Sequence, residues 1–252
     1  MNFFATISYN GSAYSGWQKQ TNSNTIQAEI EDALFRLTGE KTTTIAAGRT
    51  DAGVHALAMP ITFEISNVKI PIINFAKSLN GNLPKDIAIN SILPVSSSLN
   101  ARFQAKSREY LYRLVTKRDI FRLSTTGYTY HKLDIEKMNE ASTAILGLND
   151  FTTYSKNNPD TRNPVCDIEY SNWETVGENE ILFKIKADRF IYGMVRSLVG
   201  MMIDIGRGKL SVEKLKDNLI AKDRNLSSPL AEASGLYFVT AEYDLYKYTI
   251  DH

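Results

Sequence analysis

A single cysteine, Cys166, stands among 252 residues, so the chain can form no internal disulfide, which fits a reducing compartment. The three histidines, His55, His131 and His252, have no cysteine or carboxylate around them at a metal-ligand spacing, so no metal is expected. No apolar run approaches the roughly 18 residues that a membrane-spanning helix needs. The opening MNFFATISYN alternates like a strand and has no basic stretch ahead of an apolar one, so no signal peptide is expected. No GxGxxG, GxxxxGK[ST] or GxSxG pattern occurs, which argues against redox chemistry on a dinucleotide, nucleotide hydrolysis and serine esterase chemistry. A charge excess is missing too. Lys and Arg number 29 against 28 Asp and Glu, a net charge of +1, so bulk charge announces no nucleic-acid partner. The cations can still be segregated onto one face. The expectation is a soluble, cytoplasmic protein with no membrane partner.

What is present reads as an ordinary globular chain, 43% hydrophobic and 23% charged, long enough for one large domain or two modest ones. Phe3, Ala5, Ile7 and Tyr9 fall on one face of an opening strand. Asn24, with Gln27 three places on, resembles a capping box for a helix over 26–37. Ile26, Ile30, Leu34 and Leu37 form its apolar stripe, and Gly39 is its stop. Segments 42–47 and 61–65 read as strands, Pro71 suits the first turn of a helix ending at Asn80-Gly81, and 87–93 is another strand. That order is a ferredoxin-like βαββαβ unit. A looser second copy follows. Segment 107–117 is a strand with Tyr110, Tyr112 and Leu114 on one face. Asp134 caps a helix that Gly147 closes, 168–173 and 181–187 form a strand pair, and 190–205 is helical. Ser211 caps another helix, and 235–243 is a closing strand. The fold class expected is α+β: two ferredoxin-like halves, 1–104 and 105–252, with mainly antiparallel sheets and an active-site cleft between them.

The densest cluster of functional residue types is GRTDAGVH, residues 48–55. It packs Arg49, Asp51 and His55 into a loop between two strands, with glycines that let a ligand approach the backbone closely. It reads either as a plain turn with solvated polar side chains or as a site. Arg196 stands out because the stretch around it is nearly all apolar, and a buried guanidinium needs a partner. It either snorkels outward, pairs with a structural acid, or pairs with Asp51. Tyr110 and Tyr112 read as core, but Arg102, Lys106 and Arg108 just upstream give an aromatic-basic mixture that can stack on an unpaired base and neutralise phosphates. His55 is a possible general base or a structural histidine.

GRTDAGVH resembles the signature of the TruA-type tRNA pseudouridine synthases, and the resemblance extends along the chain. YNGSAYSGWQKQ followed by TIQ is similar to the family's opening motif. LNGNLPKDIAI at 79–89, ARFQAKSREYLY at 101–112, LGLNDFTTY at 146–154, MVRSLVG at 194–200 and SGLYFV at 234–239 continue the series in order. There are departures. Asn10 stands where the family usually has Asp and Asn100 where it has His. Met59 and Thr62 stand where Gln and His are common, and an arginine common near Cys166 is missing.

The resemblance implies an isomerase that converts uridine to pseudouridine in tRNA, in the anticodon stem-loop at tRNA positions 38–40, with no cofactor. It implies that Asp51 starts the reaction as nucleophile or base; if Arg196 pairs with it, the guanidinium would keep it ionised and oriented. Tyr110 would contact the target base, Leu236 would pack beside it, and Arg49 would fill the space the flipped base leaves or hold its phosphate. His55, Arg102 and Arg108 are candidate RNA contacts. A homodimer whose RNA spans both subunits is also implied. Other readings are a synthase for another RNA site, a non-catalytic RNA chaperone, and a hydrolase using Asp51 and His55.

Overall fold

The computed structural model describes residues 1–66, 68, 70–155 and 163–249; His252 lies outside them. They form two compact units, Met1–Lys106 joined by the chain from Phe238 onward, and Ser107–Tyr237. This departs from the expected division at 104/105, because the end of the chain returns to the first unit. The reason is an apolar cluster of Phe4, Val95 and Leu99, against which Tyr243, Leu245 and Tyr248 pack. Tyr243 meets Phe4 edge-on at 5.1 Å and donates its hydroxyl proton to the Ala101 carbonyl at 2.6 Å.

In the first unit the order is β1 (Asn2–Tyr9), α1 (Ile26–Thr38), β2 (Ile45–Ala46), β3 (His55–Glu64), α2 (Ile72–Asn80) and β4 (Ile87–Val95). β1 lies between β3 and β4, antiparallel to both, and β2 pairs with β3, which gives the ferredoxin-like order β4-β1-β3-β2. The alternation of β1 buries Phe3, Ala5 and Ile7, and Phe3 stacks on Phe63 at 5.4 Å and against Phe75 of α2 at 5.3 Å. The stripe Ile26, Ile30 and Leu34 is buried on α1, and Gly39 ends the helix in the left-handed region at φ 75°. The N-cap is Thr25 rather than Asn24. Its hydroxyl accepts the Ala28 N–H, while the Gln27 side chain is engaged elsewhere and closes no capping box.

The second unit holds β5 (Ser107–Val115), β6 (Gly127–Tyr128), α3 (Ile135–Ala144), β7 (Gly147–Asp150), β8 (Val165–Val176), β9 (Glu180–Ala187), α4 (Met194–Gly206) and α5 (Val212–Ala221). β5 pairs antiparallel with β9, β9 with β8 and β8 with β7, while β6 runs parallel to β5. Asp134 and Ser211 cap α3 and α5 as expected. Gly147 opens β7 rather than closing α3, which ends at Ala144 with Ile145 as its C-cap. The helix expected from residue 190 begins only at Met194, because Gly193 at φ 76° turns the chain first. α4 is buried along most of its length, as an almost wholly apolar helix should be. The last strand, β10 (Leu236–Glu242), carries the chain from the second unit back into the first. No helix among the described residues is long and apolar enough to cross a membrane.

Candidate active site

β2 ends at Ala46 and β3 begins at His55, so the GRTDAGV segment is the connection between two paired antiparallel strands. Such a connection is ordinarily solvated, but here the segment after β1 is wrapped against it. The Trp17 N–H donates to the Thr50 carbonyl at 3.1 Å, and the Gly53 N–H to the Tyr14 carbonyl at 3.3 Å. The Thr50 hydroxyl, buried, lies 2.8 Å from the Tyr9 hydroxyl. The Val54 N–H donates to the Asp51 carbonyl at 3.2 Å and closes the turn locally. Gly16, at φ 93°, lets the wrapping segment touch the loop backbone. A Cβ there would lie 2.6 Å from the Thr50 oxygen and 3.1 Å from the Asp51 carbonyl carbon. The opening motif and the signature motif are thus two faces of one contact.

His55, only 1% exposed, accepts the Gly11 N–H on Nδ1 at 3.1 Å. A nitrogen that accepts carries no proton, which assigns the neutral tautomer with the proton on Nε2. His55 therefore ties the loop's far end to the segment after β1. Between these sealed neighbours Asp51 is half-buried, and Arg49 is exposed.

The ARF segment continues the same unit. Asn100 caps a turn by accepting the Arg102 N–H on Oδ1 at 3.0 Å, and Thr62 of β3 accepts the Ala101 N–H at 3.2 Å. Two departures from the family pattern, at positions 62 and 100, thus fall at one turn. Arg102 is exposed there, with its guanidinium carbon 5.5 Å from the centroid of Phe103, itself 74% exposed. A third departure, Asn10, accepts from both the backbone and the hydroxyl of Ser12 and so caps the short turn leading to Tyr14. The fourth, Met59, is buried in β3.

Four of the expected site residues belong to the second unit. Tyr110 of β5 is nearly buried and meets Phe190 edge-on at 5.0 Å. The half-buried Arg108 donates from Nη1 to the Asp188 carbonyl at 2.8 Å. Arg196, in the first turn of α4, is half-buried and donates from Nε to the Ala231 carbonyl at 2.8 Å, while the Ala231 N–H returns to the Arg196 carbonyl. Leu236 opens β10, buried. Tyr112, two residues along β5 from Tyr110, fits under Gly235, where a Cβ would come within 2.5 Å of its ring. Burial and the Glu232 carboxylate push the Tyr112 pKa up, against the pull of Arg196. Its hydroxyl stays neutral at physiological pH.

Of the two polar side chains buried on α1, Gln27 was expected only as half of a capping box and part of the opening motif, and Glu31 was not singled out. The Gln27 amide bonds to Gln18, Lys19, Glu31 and Thr44. The signal for them is an i, i+4 polar pair beside an apolar helix stripe. Among the described residues no group of three His, Cys, Asp or Glu is placed to hold a metal ion.

A family model described as tRNA pseudouridine synthase matches residues 5–104 and 141–244. A tRNA pseudouridine synthase A of Parabacteroides distasonis is 38% identical over 241 residues, 96% of this chain and 95% of that protein. One from Azobacteroides pseudotrichonymphae is 40% identical over 241 residues, 96% of each. A chain of a Cbf5-Nop10-Gar1 complex overlays with a TM-score of 0.42 at 9% identity, over 94% of this chain and 58% of that one, too distant to bear on the site. With relatives matched over nearly its full length, the chain belongs to the tRNA pseudouridine synthase family and is an isomerase that makes pseudouridine in transfer RNA.

Proposed function

We propose that the Asp51 carboxylate starts the isomerisation, as nucleophile or as base at the ribose, on uridines of the tRNA anticodon stem-loop. The observation that carries this reading is the contrast within one loop. Thr50 and His55 are sealed and hydrogen-bonded, while Asp51 between them is half-buried. A fixed backbone with a reachable carboxylate is what a preorganised group needs.

The reaction breaks the N1–C1′ bond, turns the base, joins C5 to C1′, and moves a proton from C5 to solvent while N1 gains one. Atoms and electrons balance without a donor, so no cofactor enters. The base must first leave the stack. Arg49, exposed beside Asp51, takes the vacated space or holds the phosphate. Arg196 supplies the positive charge that keeps Asp51 ionised. Tyr110, braced by Phe190, stacks on the target base and helps remove the C5 proton, and Leu236 packs beside it. Arg102 and Arg108 contact RNA, the former with Phe103. His55 is better read as holding the loop than as touching RNA. The enzyme works in the cytoplasm as a homodimer, with one tRNA spanning both subunits.

The test is tritium release from unmodified tRNA carrying tritium at uridine C5, followed by mapping of the product. Wild type should release tritium without added cofactor or metal, and Asp51→Ala should release none. Release by Asp51→Ala at the wild-type rate would remove the carboxylate from the mechanism.

A further inference from the structure

Gln27 and Glu31 sit one turn apart on α1, 5% and 8% exposed, beside the stripe that faces the sheet. Burying a carboxylate and a primary amide is costly unless each is satisfied. Here they are. The Gln27 oxygen accepts from the Gln18 amide and from the Lys19 backbone N–H, both at 2.9 Å. Its nitrogen donates to Glu31 Oε1 at 3.0 Å and to the Thr44 carbonyl at 3.1 Å. Glu31 Oε1 also accepts the Thr44 N–H at 3.0 Å, and Glu31 Oε2 takes the Lys19 ammonium at 3.1 Å. The Gln27 backbone N–H donates to the Trp17 carbonyl at 3.0 Å.

These bonds converge on two stretches of chain. One is 16–19, whose Gly16 and Trp17 touch the Thr50 and Asp51 backbone. The other is the lead into β2 at Thr44, on the near side of the same loop. One buried side chain therefore grips both the wrapping segment and the strand that delivers the loop.

We propose that Gln27, braced by Glu31, is a positioning residue that sets where the Asp51 carboxylate stands. The inference rests on the reading of Asp51 given above. It touches no substrate and acts only through the 16–19 segment and Thr44. Small displacements of a reacting group carry large costs in rate, on the order of 100-fold for about 1 Å.

The test uses Gln27→Leu, which keeps the approximate size and removes all four side-chain bonds. Under single-turnover conditions with saturating enzyme, its tritium-release rate should fall by about 10- to 100-fold while tRNA affinity stays at the wild-type value. Amide hydrogen exchange should quicken at Gly53 and Val54 and stay unchanged in α2 and β4. Gln27→Glu should be worse, because it sets two carboxylates against each other. Adding Glu31→Gln should recover part of that loss, since the exchanged pair again places one amide against one carboxylate, although both bonds to Thr44 and the charge opposite Lys19 are given up. Should Gln27→Leu fail to fold, Gln18→Ala on the exposed segment removes one of the bonds and should lower the rate by a smaller factor without changing affinity. A folded Gln27→Leu at the wild-type rate, beside an inactive Asp51→Ala, would overturn the positioning role alone. An active Asp51→Ala would overturn the reading beneath it. A Gln27→Leu defect confined to tRNA affinity would also overturn the proposal.

Discussion

Asp51 and Arg196 carry opposite charges on backbone held in opposite ways. Asp51 lies on a loop fixed from outside by hydrogen bonds to Tyr9, Tyr14 and Trp17, with glycines at the points of contact. Arg196 lies in the first turn of a helix whose neighbours Met194, Leu198 and Val199 are wholly buried, so packing places its backbone and the bonds to Ala231 add to that. Hydrogen bonds fix a position through a few directional contacts, so one lost contact shifts the group. Packing spreads the same task over many contacts, so the helix tolerates local change and only the charge itself is irreplaceable.

The largest expected effect is at Arg196. Arg196→Leu should abolish tritium release while the thermal unfolding midpoint stays near wild type, and Arg196→Lys should restore part of the activity. Turnover by Arg196→Leu at the wild-type rate would end the idea that it supports Asp51. Next come two glycines that break the comparison directly. Gly16→Ala forces a Cβ onto the loop backbone at a positive φ, and should cost about 100-fold in single-turnover rate. Gly200→Ala in α4 forces a Cβ onto the Pro229 carbonyl, and should cost about 1–3 kcal/mol of stability, measured by denaturant unfolding, with a smaller effect on rate. If both changes act mainly on stability, the loop is no more finely held than the helix. The smallest effect concerns Glu180 of β9. Burial works to raise its pKa, but the Arg122 and Arg113 guanidiniums outweigh it and hold the carboxylate below its ordinary range. A depressed folded-state pKa contributes stability that is present above the unfolded value and is lost as pH falls through the folded one. Glu180→Gln should therefore unfold more easily than wild type at neutral pH, and the two should converge in acid.

The strands and capped helices were legible because their signals are local. Alternation gave β1, and Asp134, Ser211 and Gly39 marked helix ends with their own side chains or backbone freedom. The misses were decided by tertiary contacts. Asn24 lost the cap to Thr25 because Gln27, the other half of the supposed box, is taken by Lys19, Glu31 and Thr44. α4 starts late because Gly193 is used for a turn, which an apolar run cannot disclose. The aspartate and its flanking residues were visible as a motif. The segment that seals His55 and Thr50 around it, and the amide of Gln27 behind that segment, needed three dimensions.

The route of β10 bears on how the protein is made. By connectivity Ser107–Tyr237 is an insertion within the first unit, whose closing strand and aromatic tail are translated after the whole of the second unit. The second unit is one continuous stretch of chain. The first must wait, with Phe4, Val95 and Leu99 uncovered, until Tyr243 and Tyr248 arrive. The unit begun first thus receives this cover only after the second has been translated, and in that interval its apolar cluster is open to chaperones and proteases.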